Sequence, residues 1–228
     1  MSKKIIENYL QQYPVTFDFY HKMLNVGDIY IMGGTARQLK NKKSIKTIKD
    51  IDFCIYIKDQ IEFEKIINDH IYRRNAYDGY KILNSEIHLD IWDVKNTWGF
   101  KNGLVKVDNN DYFEKLVDTV FLNIDALVYD VSNNRWNEQV YNSAMKNKKL
   151  DIVLRDNPFV ELNILRAIIL KKQYGMQYSD ELRDLIFYYS HQSNFLNSLM
   201  QIQTKRYKRN KISLHELQKE ISRIKHYK

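Results

Sequence analysis

Glycine is scarce in this chain, at seven residues; proline is scarcer at two, and cysteine occurs once. Each shortage excludes something. A single cysteine, Cys54, permits neither an internal disulfide framework nor a cysteine-based zinc site. With only Pro14 and Pro158, and no glycine- or serine-rich stretch, no flexible linker marks a boundary between domains. No window holds the roughly 18 apolar residues of a membrane span. The start, MSKKIIENYLQQYP, is too charged and too short in its apolar part for a signal peptide. A soluble protein of a reducing, cytoplasmic compartment, with no membrane partner, is the expectation. Apolar side chains are present in ordinary amount, 44% of 228 residues, which is enough for a buried core and argues against disorder.

Acidic residues are thin towards the C-terminus. From Lys205 to Lys228, nine Lys and Arg face only Glu216 and Glu220, so this segment holds seven of the eight net positive charges. Lys205, Arg206, Lys208 and Arg209 cluster around Tyr207. They can neutralise nucleic-acid phosphates and release counterions. Equally, they can be the solvated face of a helix whose Ile212, Leu214, Leu217, Ile221 and Ile224 pack beneath.

Periodicity gives a coarse order of elements. Residues 3–12 and 17–26 read as amphipathic helices, and 28–32 as a strand that ends at Gly33-Gly34. A helix follows, with Thr35 as its cap. Residues 49–58 alternate as a strand. A helix over roughly 60–73 turns Ile61, Phe63, Ile66, Ile67 and Ile71 to the core. Strands are expected at 80–83, 87–94 and 123–131, the last turned by Asn133-Asn134. Beyond Pro158 only helices are expected, at 158–174, 179–190, 194–207 and 213–226. The fold class is therefore α+β, a mixed sheet flanked by helices and then a helical C-terminal region.

Three short stretches carry chemistry. Gly33-Gly34, between a strand and a helix, lets the backbone approach a ligand, and its N–H groups with the helix N-terminus favour an anion such as a triphosphate. The same pair also makes a tight turn with nothing bound. Asp50 and Asp52 leave one face of their strand, roughly 6.5 Å apart, while Ile51, Phe53, Ile55 and Ile57 leave the other. Such a pair can hold Mg²⁺ with substrate phosphates completing the shell, or it can be the wet face of a strand. In IHLDIWDV, His88, Asp90 and Trp92 face away from Ile87, Leu89 and Ile91. Asp90 can be the missing ligand or a base for an attacking hydroxyl, or it can sit at an exposed edge. Asp93, on the opposite face, is the weaker candidate. His88 can orient Asp90 or be a plain surface histidine. Trp92, Trp98 and Phe100 can stack a base but suit a core as well, and Cys54 reads as a small core residue. Taken in order, these three stretches are the layout for two-metal nucleotidyl transfer. One ion activates an acceptor hydroxyl and the other holds the leaving pyrophosphate.

GGTARQL and KDIDF resemble the head of the polymerase β nucleotidyltransferase superfamily. The similar branch is that of bacterial CCA-adding enzymes and poly(A) polymerases, where GGxxRD precedes DxD. FLNIDALVYD (121–130) is similar to the branch's segment ending NAMAYD. NPFVELNILRAIILKKQYGMQYSDEL (157–182) is similar to its helix DP…LRAxRFAxxxGF, through Asn157, Pro158, Leu165, Arg166, Ala167 and Gly175. Gln38 stands where GGxxRD has Asp, and Asp125 where Asn is usual.

The resemblance implies a palm-like head over residues 1–135 and a helical neck and body over 136–228 that carries the basic tail. It implies Mg²⁺ or Mn²⁺ held by Asp50 and Asp52, with Asp90 taken as the third carboxylate from the wider superfamily. Gly33, Gly34, Thr35 and Arg37 would bind the triphosphate, Asp125 the ribose or nucleotide, and Arg166 would lie near the incoming nucleotide. The implied partners are an NTP, ATP or CTP foremost, and an RNA 3′ end contacted by Lys205, Arg206, Lys208 and Arg209. A protein or small-molecule acceptor, and a non-catalytic module of the same fold, stay open.

Overall fold

A computed structural model describes residues 2–41, 50–74 and 78–226, with the side chain of Asp50 also outside the described set. The chain forms two compact units, one of residues 1–120 and 125–140, the other of residues 121–124 and 141–228.

The first unit begins with helices α1 (Ser2–Leu10) and α2 (Pro14–Val26). Pro14 opens α2, where its missing N–H costs nothing. Strand β1 (Gly27–Met32) runs directly into α3 (Gly33–Lys40). After β2 (Asp50–Ile57) come α4 (Gln60–Asn68), β3 (Tyr72–Arg74), β4 (Tyr80–Ile82) and β5 (His88–Asp93). Short helices α5 (Trp98–Lys101) and α6 (Tyr112–Lys115) precede β6 (Val128–Asp130) and β7 (Arg135–Asn137). Among the described residues these strands form a seven-stranded sheet in the order β3-β4-β5-β2-β1-β6-β7. β2 and β5 pair in parallel and the other neighbours are antiparallel, so the sheet is mixed.

Strand alternation divides the sheet into two unlike faces. Ile29, Ile31, Ile51, Phe53, Ile55, Leu89 and Ile91 are buried on one of them. Helices α2 and α4 cover that face, with the Tyr20 ring 6.0 Å from Phe53 and the Phe63 ring 5.8 Å from Tyr80. The other face carries Tyr30, Asp52, Cys54, Tyr56, Asp90 and Trp92. The segment 94–119 roofs part of it: Phe113 lies 5.7 Å from Tyr30, and Tyr112 lies 5.4 Å from Tyr56.

The second unit contains the continuation of α7 (Gln139–Asn147), α8 (Val160–Tyr174), α9 (Asp180–Tyr189), α10 (Phe195–Tyr207) and α11 (Leu214–His226). A small parallel pair, β8 (Lys149–Leu150) with β9 (Gln177–Tyr178), accompanies them. Gly175, in the left-handed region, ends α8. Ser179 caps α9 by accepting from Leu182 N at 3.1 Å. Ser213 and Glu216 form a reciprocal capping box at the start of α11. Buried Gln203 fixes the turn between α10 and α11. It accepts from Lys211 N and Ile212 N at 2.7 and 3.0 Å and donates to Ile212 O at 2.9 Å.

The helices after Pro158 lie within two residues of the sequence expectation, though the short strand β9 falls among them where only helices were expected, and the mixed sheet is as expected. Four local expectations are corrected. Helix α3 starts at Gly33, so Thr35 is buried inside its first turn and Met32 takes the cap position. Helix α4 stops at Asn68, so Ile71 falls beyond it and is exposed; Ile61, in its first turn, is exposed as well, and the edge strand β3 follows where helix was expected. The strand expected over 123–131 is a short 3-10 turn at Asn123–Asp125 followed by β6. Leu214, expected beneath the tail helix, is 41% exposed. Lys49, expected to open β2, lies outside the described residues, as do Tyr227 and Lys228.

Gly27 meets β2 at close range. A Cβ there would lie 2.4 Å from the carbonyl oxygen of Tyr56. Gly27→Ala is expected to force these strands apart and destabilise the protein by about 1–3 kcal/mol, measured as a fall in melting temperature; an unchanged melting curve would contradict this packing.

Candidate active site

The parallel register of β2 with β5 sets Asp52 opposite Asp90 and Asp50 opposite His88. Neighbouring strands are about 4.8 Å apart, and paired residues share a face, so the Asp52 and Asp90 carboxylates stand side by side. Asp52 is exposed and Asp90 is 22% exposed. Beyond them on the same face the roof begins. Trp92 Nε1 donates to Thr97 Oγ1 at 3.3 Å, and Cys54 is fully buried with its Sγ 4.0 Å from the same oxygen. The face therefore has a covered end, with Cys54 buried between half-buried Tyr56 and Trp92, and a wet end at Asp52 and Asp90.

The glycine pair belongs to the wet end. In the antiparallel pairing of β1 with β2, Ile31 lies opposite Phe53, so the chain leaves β1 at the level of Asp52. Gly33 has φ +60, a conformation that favours glycine, and a Cβ there would meet nothing within 4 Å. The turn is therefore open, with the N-terminus of α3 at its back. A Cβ on Gly34 would sit 3.9 Å from Arg37 Nη2, so the guanidinium reaches back along the first turn of α3 to the glycines.

Arg37 Nη1 makes an ion pair with Asp125 Oδ1. The side chains are 12% and 6% exposed, and a pair this enclosed depends on both members. Gln38, next on α3, has a buried Oε1 with no hydrogen-bond partner among the described residues. The side chain of Asp90 also faces Lys81 from β4, Nζ to Oδ2 3.7 Å. Lys81 was not singled out in the sequence. The signal was the antiparallel register of β4 on β5, which places it opposite Asp90. Asp93, on the other face, accepts from Lys95 N at 3.0 Å, and burial raises its carboxyl above the usual range.

The structure thus brings together Gly33, Gly34, Arg37 and Asp125 in one cluster, and Asp52 and Asp90 in another at the same end of the sheet. Among the described residues no three His, Cys, Asp or Glu side chains are grouped to hold a metal ion; Asp50, whose side chain lies outside them, is not part of that count. Arg166 lies half-buried on α8 in the other unit, as do Lys205, Arg206, Lys208 and Arg209, exposed at and beyond the end of α10. Trp98 is 38% exposed, while Phe100 packs edge-on against Tyr112 at 5.3 Å. No helix among the described residues is long and apolar enough to cross a membrane.

No protein-family profile matches the sequence, and no curated protein matches it. Solved structures do. A CCA-adding enzyme in complex with CTP superposes with a TM-score of 0.61 over 93% of this chain and 52% of its own, at 14% identity. The Thermotoga maritima CCA-adding enzyme complexed with tRNA gives 0.60 over 93% of this chain and 51% of its own, also at 14% identity. A tRNA-processing enzyme with CTP gives 0.59 over 87% and 53%, at 12% identity. The chain spans about half the length of these proteins and shares their fold over that half.

Two outcomes follow from the geometry. Asp125→Ala leaves Arg37 as an enclosed cation without its carboxylate and is expected to cost about 3 kcal/mol in chemical denaturation. Asp125→Asn, which retains an acceptor but not the charge, should cost clearly less; equal losses would show that the acceptor is worth nothing to Arg37 without the carboxylate's charge. Burial pushes the Cys54 thiol up, so it should resist thiol reagents in the native protein and react on unfolding; fast native labelling would contradict the roof.

Proposed function

We propose that the chain is a metal-dependent nucleotidyltransferase, which moves a nucleoside monophosphate from an NTP to a hydroxyl and releases pyrophosphate. An RNA 3′ end is the acceptor. The observation that carries this reading is the Asp52–Asp90 pairing at the end of the sheet where β1 opens into Gly33-Gly34.

The donor set suits a divalent ion. Carboxylate oxygens are what Mg²⁺ or Mn²⁺ takes. Two carboxylates directly across a strand pair repel one another, which a divalent ion held between them would relieve; Lys81 also reaches Asp90. Asp50, two residues before Asp52 on the same strand, is the proposed further ligand. When bound, such ions lower the pKa of an acceptor hydroxyl and neutralise the departing pyrophosphate.

The remaining work falls to the chain itself. The backbone of Gly33 and Gly34, with Thr35 in the first turn of α3, offers N–H groups to the triphosphate. Arg37, held by Asp125, adds a guanidinium beside Gly34 in a fixed orientation, so little reorganisation is needed as charge moves to the leaving group. Asp90 is placed to accept a proton from the acceptor hydroxyl or to serve as a ligand. Holding the reactants in line supplies the rest. Likeness to structures bound to CTP, to ATP and to tRNA supports an NTP donor, ATP or CTP, and an RNA acceptor. Lys205, Arg206, Lys208 and Arg209 are exposed around a turn that Gln203 fixes, which suits contact with phosphates in a cytoplasmic RNA.

The test is incubation with each labelled NTP, Mg²⁺ or Mn²⁺ and total RNA, beside the Asp50→Ala, Asp52→Ala double variant. Label on RNA from the wild type, falling at least 100-fold in the variant (about 2.7 kcal/mol of barrier), is the expected result. Label on protein would redirect the acceptor. RNA binding with no transfer of any NTP would sink the enzyme.

A further inference from the structure

The wet face of the sheet carries a row of four charges on four neighbouring strands. Asp52 of β2 lies opposite Asp90 of β5, Asp90 opposite Lys81 of β4, and Lys81 opposite Arg73 of β3. Across the sheet the order is acid, acid, base, base. Each step is one strand spacing, about 4.8 Å, so Lys81 stands one strand from Asp90 and two from Asp52.

This order presses Lys81 towards the acids. Directly across a strand pair, unlike charges attract and like charges repel, and Lys81 has Asp90 on one side and Arg73 on the other. Arg73 is exposed and has no ion pair among the described residues. The next residue, Arg74, is engaged elsewhere, donating to the Tyr80 hydroxyl at 2.6 Å. Lys81 Nζ accordingly lies 3.7 Å from Asp90 Oδ2, with both side chains 22% exposed.

The pair is loose as well as directed. At 3.7 Å it is too long for a hydrogen bond, so the attraction is that of two charges without a fixed donor geometry. A divalent ion carries twice the charge of an ammonium and repels it at close range. The ammonium and such an ion therefore have opposed claims on the same carboxylate.

We infer that Lys81 is the resting counter-ion of Asp90 and competes with the divalent ion for it, so that Lys81 sets the ion affinity of the acid pair. Lys81 is a positioning residue that acts through Asp90. It must release Oδ2 before Asp90 can serve an ion, which ties completion of the acid pair to ion binding. That an ion belongs at this pair rests on the proposed function; the order of charges across the sheet does not.

The experiment measures binding of Mn²⁺ alone by electron paramagnetic resonance of the free ion, at one pH and salt concentration, with the full chain. Wild type is compared with Lys81→Gln, Asp90→Asn and the double variant, each verified as folded by thermal denaturation. Lys81→Gln should tighten Mn²⁺ about fivefold, and Asp90→Asn should cut that gain to less than about twofold, the scale on which groups in contact are coupled. Lys81→Arg should bind as wild type does. Arg73→Gln, one strand further out, removes the same charge and should tighten Mn²⁺ by less than about twofold. No gain from Lys81→Gln, an equal gain from Arg73→Gln, or the same gain with and without Asp90 would overturn the inference. So would a wild type that binds no Mn²⁺. NTP transfer measured on the same proteins separates the two ideas. The expected Mn²⁺ pattern with no transfer by wild type leaves the role of Lys81 standing and removes the transferase; transfer without any gain from Lys81→Gln does the reverse.

Discussion

Pairing in parallel register between β2 and β5 is the constraint on which the rest depends. With period two along each strand, one choice of register sends Ile51, Phe53, Leu89 and Ile91 under α2 and α4 and leaves Asp52 beside Asp90 on the opposite face. A slip of one residue would bury the aspartates and expose the core. The apolar face therefore does the aligning that brings the carboxylates to one place. Hydrophobic burial sets a geometry that electrostatics alone would oppose.

The second cluster is ordered in a different way. Gly33 and Gly34 give the chain room to turn from β1 into α3, and the first turn of that helix brings Arg37 back towards them. What keeps the guanidinium there is Asp125, from a segment 88 residues away in sequence. One cluster is thus positioned by packing and the other by an enclosed ion pair. Both lie at the wet end of one sheet face, because the roof closes over Cys54, Tyr56 and Trp92 and stops short of Asp52 and Asp90.

Much of this was legible in the sequence, because it rests on short-range periodicity. Alternation in DIDFCIYI and IHLDIWDV was enough to assign faces, and the long amphipathic helices after Pro158 announced themselves. Two kinds of feature were not legible. Short edge elements such as β3 and β7 have three residues each, too few to show a period against neighbouring helix-like pattern. Contacts between distant segments, Arg37 with Asp125 and Asp90 with Lys81, depend on which strands become neighbours. Arg37 and Asp125 were each candidate ligands for a nucleotide, and nothing local to either indicated that they meet. The start of α3 was misjudged for a related reason: Thr35 is a good cap by type, but the helix already begins at the glycines before it, Gly33 entering with φ +60, so Met32 takes the cap position.

The roof has a consequence for how such a site can vary. Segment 94–119 lies on the sheet through side chains and loops, and the described sheet contains no strand drawn from it. Residues added to it would extend the cover towards Asp52, and residues removed would draw it back, with every strand left in register. The space left open beside Asp52 and Asp90 is therefore governed by a tether that can lengthen or shorten independently of the strands that hold these acids, so the size of the opening and the placing of the carboxylates are free to diverge in separate stretches of the chain.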